Sequence, residues 1–154
     1  MPDAVAVAEA ETWLADFAQK LAAGDIPAVL DLFAEDCYWR DIVAFTWNVK
    51  TMEGKPAIAA MLKAQLSPTK PSAWQIQETS TPEPGVLQAW FSFATGVGKG
   101  QGIFTLEGGK CRTILTTLQS LDGHEEAAGP SRPLGVRHGA DRNRSTWTER
   151  RTAE

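Results

Sequence analysis

Apolar positions in the first 121 residues change from helical to alternating spacing, and that change predicts the elements. Trp13/Leu14, Phe17/Ala18 and Leu21 recur at helical spacing and predict an amphipathic helix over 11–23, stopped by Gly24. Asp25 offers an N-cap with Pro27 just inside, and Val29, Leu30 and Phe33 form the apolar side of a short second helix. Residues 37–45 switch to alternation and predict a strand. After Glu53-Gly54 a third helix opens near Pro56, carries Ile58, Met61, Leu62 and Leu66, and ends at Pro68.

The remaining pattern is all strand. Residues 73–80 place Trp74 and Ile76 on one side and Gln75, Gln77 and Thr79 on the other. A turn at Glu83-Pro84-Gly85 leads to residues 86–95, which are apolar on both faces. Residues 101–107 and 110–121 form a last pair around Gly108-Gly109, a hairpin signal. Three helices with a strand among them, then a long antiparallel meander, predict an α+β fold with helices on one face of a curved sheet. Because the central strand is apolar on both faces, its second face is expected either to meet a partner chain or to line a cavity. The expected assembly is a homodimer packed sheet to sheet.

Composition divides the chain. Residues 1–121 hold 9 Lys/Arg and 13 Asp/Glu, which is the whole net charge of −4, whereas residues 122–154 hold 6 of each. The second segment has few apolar residues, is punctuated by Gly129-Pro130 and Pro133, and is expected to be a tail or linker. Its six basic residues are arginines, but interleaved acids cancel the electrostatic footprint of a nucleic-acid binder. Cys37 and Cys111 form no CxxC pair and sit in apolar stretches, so buried free thiols and a cytoplasmic location are expected. No run of about 18 apolar residues is present to span a membrane.

Both histidines, His124 and His138, lie in the tail. The body therefore cannot build a Ser-His-Asp triad, a Cys-His pair or a His-ligated zinc alone, and no metal is expected. The glycine-rich run Gly96–Gly102 has Gln101 where GxGxxG needs its third glycine and leads into a strand, so it predicts a hairpin connection or a bent strand. Asp41 is the candidate for chemistry. Alternation puts it on the face of Cys37, Trp39, Val43 and Phe45, where desolvation would make it a usable general acid or base. The competing reading is a satisfied carboxylate bonded to neighbouring backbone or to the Trp47 indole. Glu78, sharing a face with Trp74 and Ile76, and Arg112 are its candidate partners. Trp39, Phe45, Trp47, Trp74, Trp90, Phe91, Phe93 and Phe104 are the candidate pocket wall, with Thr116, Thr113 and Thr117 as polar groups within it.

The order of these elements, with the Leu32–Asp41 approach to the first strand and the Gly-Lys-Pro-x-x-Ile third helix, resembles the nuclear transport factor 2-like superfamily, also called SnoaL-like or ketosteroid-isomerase-like. The resemblance spans residues 10–121 and implies a cone-shaped sheet wrapped around the N-terminal helices, with a pocket at its mouth. It also implies an activity, where there is one, of the isomerase, cyclase or dehydratase kind. The runs Trp90–Phe93, Gly100–Phe104 and Gly109–Thr117, with Gly123–Glu126 and Gly135–Gly139, are similar to the N-terminal region of flavin-dependent monooxygenase-like oxidoreductases. That likeness implies an accessory module whose FAD and NAD(P) belong to a downstream part, with no cofactor in this chain. No GxGxxG strand-turn-helix unit occurs before Glu154, so the chain is expected to be either a piece of a longer flavoprotein or a free-standing relative.

The leading expectation is a dimeric small-molecule-binding domain, residues 1–121 with a tail 122–154, serving such an oxidoreductase. The alternative is a stand-alone isomerase, cyclase or dehydratase using Asp41, and the third reading is a structural domain with a vestigial pocket.

Overall fold

The long first helix, α1 (Ala4–Ala23), buries Ala6, Ala10, Trp13, Leu14, Phe17 and Leu21 along one stripe. It ends at Gly24, whose φ of +67° a side chain rarely adopts. In α2 (Ile26–Asp31) the Asp25 carboxylate accepts a hydrogen bond from the Ala28 N–H at 3.1 Å. The strand β1 (Phe33–Ile42) follows, then β2 (Val49–Glu53) and α3 (Gly54–Thr69), which runs one residue past Pro68 and closes on Lys70 in the left-handed region. Strands β3 (Ser72–Glu83), β4 (Val86–Ala94), β5 (Gly98–Glu107) and β6 (Lys110–Leu121) complete the body. These coordinates are a computed structural model that describes residues 4–133, 135 and 143–153. His138 and most of the Gly135–Gly139 motif lie outside the described residues.

One six-stranded sheet has the order β2-β1-β6-β5-β4-β3. Its neighbours are antiparallel except β1 and β6, which run parallel, so the meander closes back on the first strand. The fold is α+β, as the pattern predicts, but the sheet is mixed. Helix α1 packs against β3, and α3 packs against β1 and β2. Three short elements were not expected: β2 and, after the body, a single 3-10 turn (Gly129–Ser131) and α4 (Trp147–Thr152). Helix α4 starts with a capping box in which Thr146 and Glu149 exchange hydrogen bonds.

The inner face of the sheet is built from rings. Phe91 and Phe93 of β4 stand opposite Gly102 and Gly100 of β5. A Cβ on Gly102 would lie 2.3 Å from the Phe91 ring and 2.2 Å from the Leu115 carbonyl oxygen. The glycine-rich run is thus a strand whose missing side chains make room for aromatic groups.

Candidate functional site

Asp41 lies one residue before the end of β1 and is fully buried. One carboxylate oxygen accepts from the Phe45 N–H at 3.0 Å, the Thr46 N–H at 2.8 Å and the Thr46 hydroxyl at 2.8 Å. The other accepts from the Thr116 hydroxyl at 2.6 Å, and Thr116 in turn accepts from the Trp39 indole N–H at 2.9 Å. Burying a carboxylate without partners is very costly, and four donors compensate that cost here. What they hold is a tight turn over residues 43–48, in which Val43 and Trp47 have φ of 55° and 54°. Each of these non-glycine conformations costs of order 1–3 kcal/mol and persists only where its surroundings enforce it.

The sequence brings the right residues to Asp41 in part. Thr116 and Trp39 join it, and the backbone of Phe45 binds it, whereas the Trp47 indole does not, because Trp47 is 59% exposed. Tyr38 points to the outer face with Arg40, and Asp36 beside it pushes its phenol up from the ordinary value. Neither expected partner arrives. A bulge between Ile76 and Glu78 turns Glu78 to the outer face opposite Trp90, and Arg112 is drawn outward by Glu107 at 2.9 Å. Thr113 is exposed and Thr117 bonds the Gln101 carbonyl, so neither joins Thr116.

The remaining expected wall residues form one packed cluster. Trp74 stacks on Phe93 with centroids 4.8 Å apart, Phe45 meets Trp39 edge-on at 5.2 Å, and Phe91 contacts Phe104 at 5.8 Å. Trp90, 47% exposed, stands outside this cluster on the other face of the sheet. These rings pack against one another around Asp41, and Trp74 also lines a cleft of about 540 Å³ between α1 and β3.

Open space lies at the other end of β1, roughly 25 Å away at about 3.3 Å per residue. There a groove of about 770 Å³ runs between the N-terminal half of α1 and the β5–β6 turn. Its floor includes Ala4, Ala8, Trp13, Leu32, Leu106 and Gly109, and Glu9 and Asp16 stand at its rim. Asp16 is paired with Lys20. Trp13 packs on Phe104 at 4.5 Å and Phe17 at 5.0 Å, but its indole N–H has no acceptor. With the Thr79 hydroxyl it is one of two such buried side-chain groups among the described residues. Most buried donors are paired, so an orphan beside an apolar groove is an informative exception. Sequence reading gave Trp13 only a packing role. The signal it passed over is the small side chains Ala4, Ala8 and Thr12, one helical turn apart beside the ring.

A second cavity, of about 670 Å³, lies between the end of α1, α2 and α3, lined by Leu21, Ile26, Leu62 and Leu66. Cys37 and Cys111 are free and buried, and burial pushes the Cys111 thiol well above its ordinary range. Among the described residues no three His, Cys, Asp or Glu side chains gather as metal ligands would, and no helix is long and apolar enough to cross a membrane.

The architecture, helices on one face of a six-stranded sheet with the meander returning to β1, defines a class with known relatives. The chain belongs to the SnoaL-like domain family, whose model matches residues 14–114. Solved structures share the fold at low identity. A ketosteroid isomerase-like protein from Erwinia carotovora superposes with a TM-score of 0.61 at 14% identity, covering 74% of this chain and 96% of that one. An NTF2-like protein with a cystatin-like fold from Novosphingobium aromaticivorans gives 0.54 at 18% identity, covering 75% and 81%. RV0760c from Mycobacterium tuberculosis, solved in complex with estradiol-17β-hemisuccinate, gives 0.52 at 18% identity, covering 74% and 95%. No curated protein sequence matches the chain.

Proposed function

We propose that this chain is a small-molecule-binding domain that takes a neutral, apolar, steroid-sized ligand in the groove beside Trp13. The observation that carries the reading is the conjunction of an apolar groove of about 770 Å³ with a buried indole N–H that has no acceptor. Ligand sites combine such volumes with a few polar groups that fix orientation. A ligand carbonyl or hydroxyl would supply the missing acceptor, and Glu9 at the rim disfavours an anionic ligand. The complex of RV0760c with a steroid ester supports steroids as the first probes. Proton transfer by Asp41 is not favoured by any feature of its surroundings, since one of its oxygens is bonded to the 43–48 turn and the other to the Thr116 hydroxyl of β6.

The proposal keeps the accessory role beside a flavin-dependent part and a dimer formed through the outer face of the sheet. The first rests on the motif resemblance and on residues 124–133, which leave β6 with only Ala127 half-buried. An open reading frame that continues into GxGxxG would support that role, and a stop codon directly after Glu154 would remove it.

Titration with 17-hydroxyprogesterone by calorimetry tests the ligand reading. Saturable binding is expected, weakened about tenfold or more in Trp13→Phe by loss of the indole donor, and unchanged in Trp90→Phe. Equal affinity of wild type and Trp13→Phe would overturn the site.

A further inference from the structure

The outer face of the sheet carries a residue pattern that specifies how a second copy of this chain docks. The cross-strand pairing aligns Glu78 of β3, Trp90 of β4, Ile103 of β5, Leu115 of β6 and Arg40 of β1 in one row. Three apolar side chains form its middle, and opposite charges form its ends. The rows on either side hold Gln88, Thr105 and Thr113, and Ser92, Gln101 and Thr117. Over the three central strands these nine outer positions include no charged residue, although they belong to a face whose Trp90 is 47% exposed. Depletion of charge around an exposed aromatic residue marks the core of a protein interface rather than a solvated sheet surface. Glu78 is exposed, and among the described residues no side-chain hydrogen bond or ion pair engages its carboxylate. Arg40 is exposed too and spends one guanidinium N–H on Thr51 at 3.2 Å, leaving four donors.

The order of the row is self-complementary. Counting from Glu78, the charged ends occupy the first and fifth strands, and Ile103 occupies the third. A two-fold axis lying between two stacked sheets can run along the strands or across them. An axis across the strands would bring Glu78 onto its own copy and Arg40 onto its own copy, a like-charge juxtaposition that specific interfaces avoid. An axis along β5 reverses the row instead. It sets Ile103 on its symmetry mate, Trp90 on the partner's Leu115 and Glu78 on the partner's Arg40, and it forms each heterotypic contact twice. Five strands about 4.8 Å apart by three rows of side chains give about 500 Å² per copy, or about 1,000 Å² in total, the lower bound for a specific association.

We infer that two copies pair sheet to sheet with the two-fold axis along β5 through Ile103, locked in that register by reciprocal Glu78–Arg40 ion pairs. This rests on the dimer reading above and goes beyond it by fixing the register and the residues that set it.

Sedimentation velocity across a dilution series of the full chain tests it, with circular dichroism confirming that each variant folds. The wild type is expected to dimerise, and Trp90→Glu to sediment as a monomer. Glu78→Arg and Arg40→Glu are each expected to weaken the dimer about tenfold, and the double exchange Glu78→Arg/Arg40→Glu to return within about threefold of wild type. A double variant no tighter than the singles would overturn the register while leaving the sheet-face dimer in place. A Trp90→Glu variant as dimeric as wild type, or a wild type monomeric at every concentration, would overturn the dimer itself and the register with it.

Discussion

Trp39 of β1 and Trp90 of β4 sit on opposite faces of one sheet, with two strands between them, and their circumstances differ in every respect that matters. Trp39 is fully buried, its ring is packed against Phe33 and Phe45, and its N–H reaches Thr116 and through it Asp41. Trp90 projects between Gln88 and Ser92 and is about half exposed. Around Asp41 on the inner face, then, the chain supplies its own partners, two hydroxyls and two backbone N–H groups around one carboxylate. On the outer face its three central strands present apolar residues, with Trp90 about half exposed, between Glu78 at one end of the row and Arg40 at the other. The difference teaches that residue type alone does not assign a role on a strand of this fold. What the neighbouring strands place opposite the residue decides it.

The comparison is easiest to break from the inside. Asp41→Ala removes the acceptor of four hydrogen bonds and strands buried donors on Phe45, Thr46 and Thr116. A loss of about 3–5 kcal/mol is expected in urea unfolding, with the 43–48 turn released from its strained conformation. A variant as stable as wild type would show that the inner network does not hold the fold. Next in size is Gly102→Ala, whose Cβ would meet the Phe91 ring and the Leu115 backbone, for an expected cost of about 1–3 kcal/mol. The same substitution at Gly108, where nothing lies within 4 Å, tests backbone conformation without that clash.

A subtler consequence concerns pH. Cys111 is fully buried, and desolvation holds its thiol protonated well above the ordinary value of 9.0. Above that value the unfolded chain loses a proton that the folded chain retains. Folding therefore keeps the whole of this contribution below pH 9 and loses it as pH rises toward the folded-state value, by at most about 1.4 kcal/mol per pH unit. Urea midpoints between pH 8 and 10 should fall more steeply for wild type than for Cys111→Ala. Parallel slopes would mean that the thiol is not sealed from water.

Much of this was legible in the chain. Helical stripes, the Asp25 cap and the Gly108-Gly109 turn are local signals that place α2 and the β5–β6 turn. But α1 begins at Ala4 rather than at residue 11, and Phe33, expected on the second helix, opens β1. The strand expected over 37–45 ends at Ile42, where the 43–48 turn begins. What was not legible depends on partners distant in sequence. β2 has a single buried residue, Met52, and so no alternation to detect. The parallel pairing of β1 with β6 is set by packing across more than 70 residues of chain. Glu78 was expected beside Trp74, but one bulge reverses its face, because strand periodicity is two and a single extra residue inverts it. The satisfied reading of Asp41 named backbone donors and the Trp47 indole, and only the first of these is present, since Trp47 lies in a left-handed turn conformation that strand alternation does not anticipate. The spacing of small residues beside Trp13 was visible but meant nothing until the β5–β6 turn was known to lie across from it.

The smallest expected effect separates the two faces most sharply. Trp90→Gln exchanges a large ring for a polar side chain at the centre of β4, the strand that also carries the buried Phe91 and Phe93. Were Trp90 part of the core, truncating it would cost about 3–5 kcal/mol, as such changes do at sealed sites. Because the ring packs on the outside, its loss should change the unfolding free energy of the dilute monomer by no more than about 0.5 kcal/mol. At high protein concentration the same variant should lack the extra stability that association confers on wild type, since a partner that binds only the folded chain raises its apparent stability by mass action. Urea unfolding at two concentrations about a hundredfold apart therefore gives a concentration-dependent midpoint for wild type and a fixed one for Trp90→Gln. A large loss already present at the low concentration would make the outer face a second core, and the contrast between Trp39 and Trp90 would collapse.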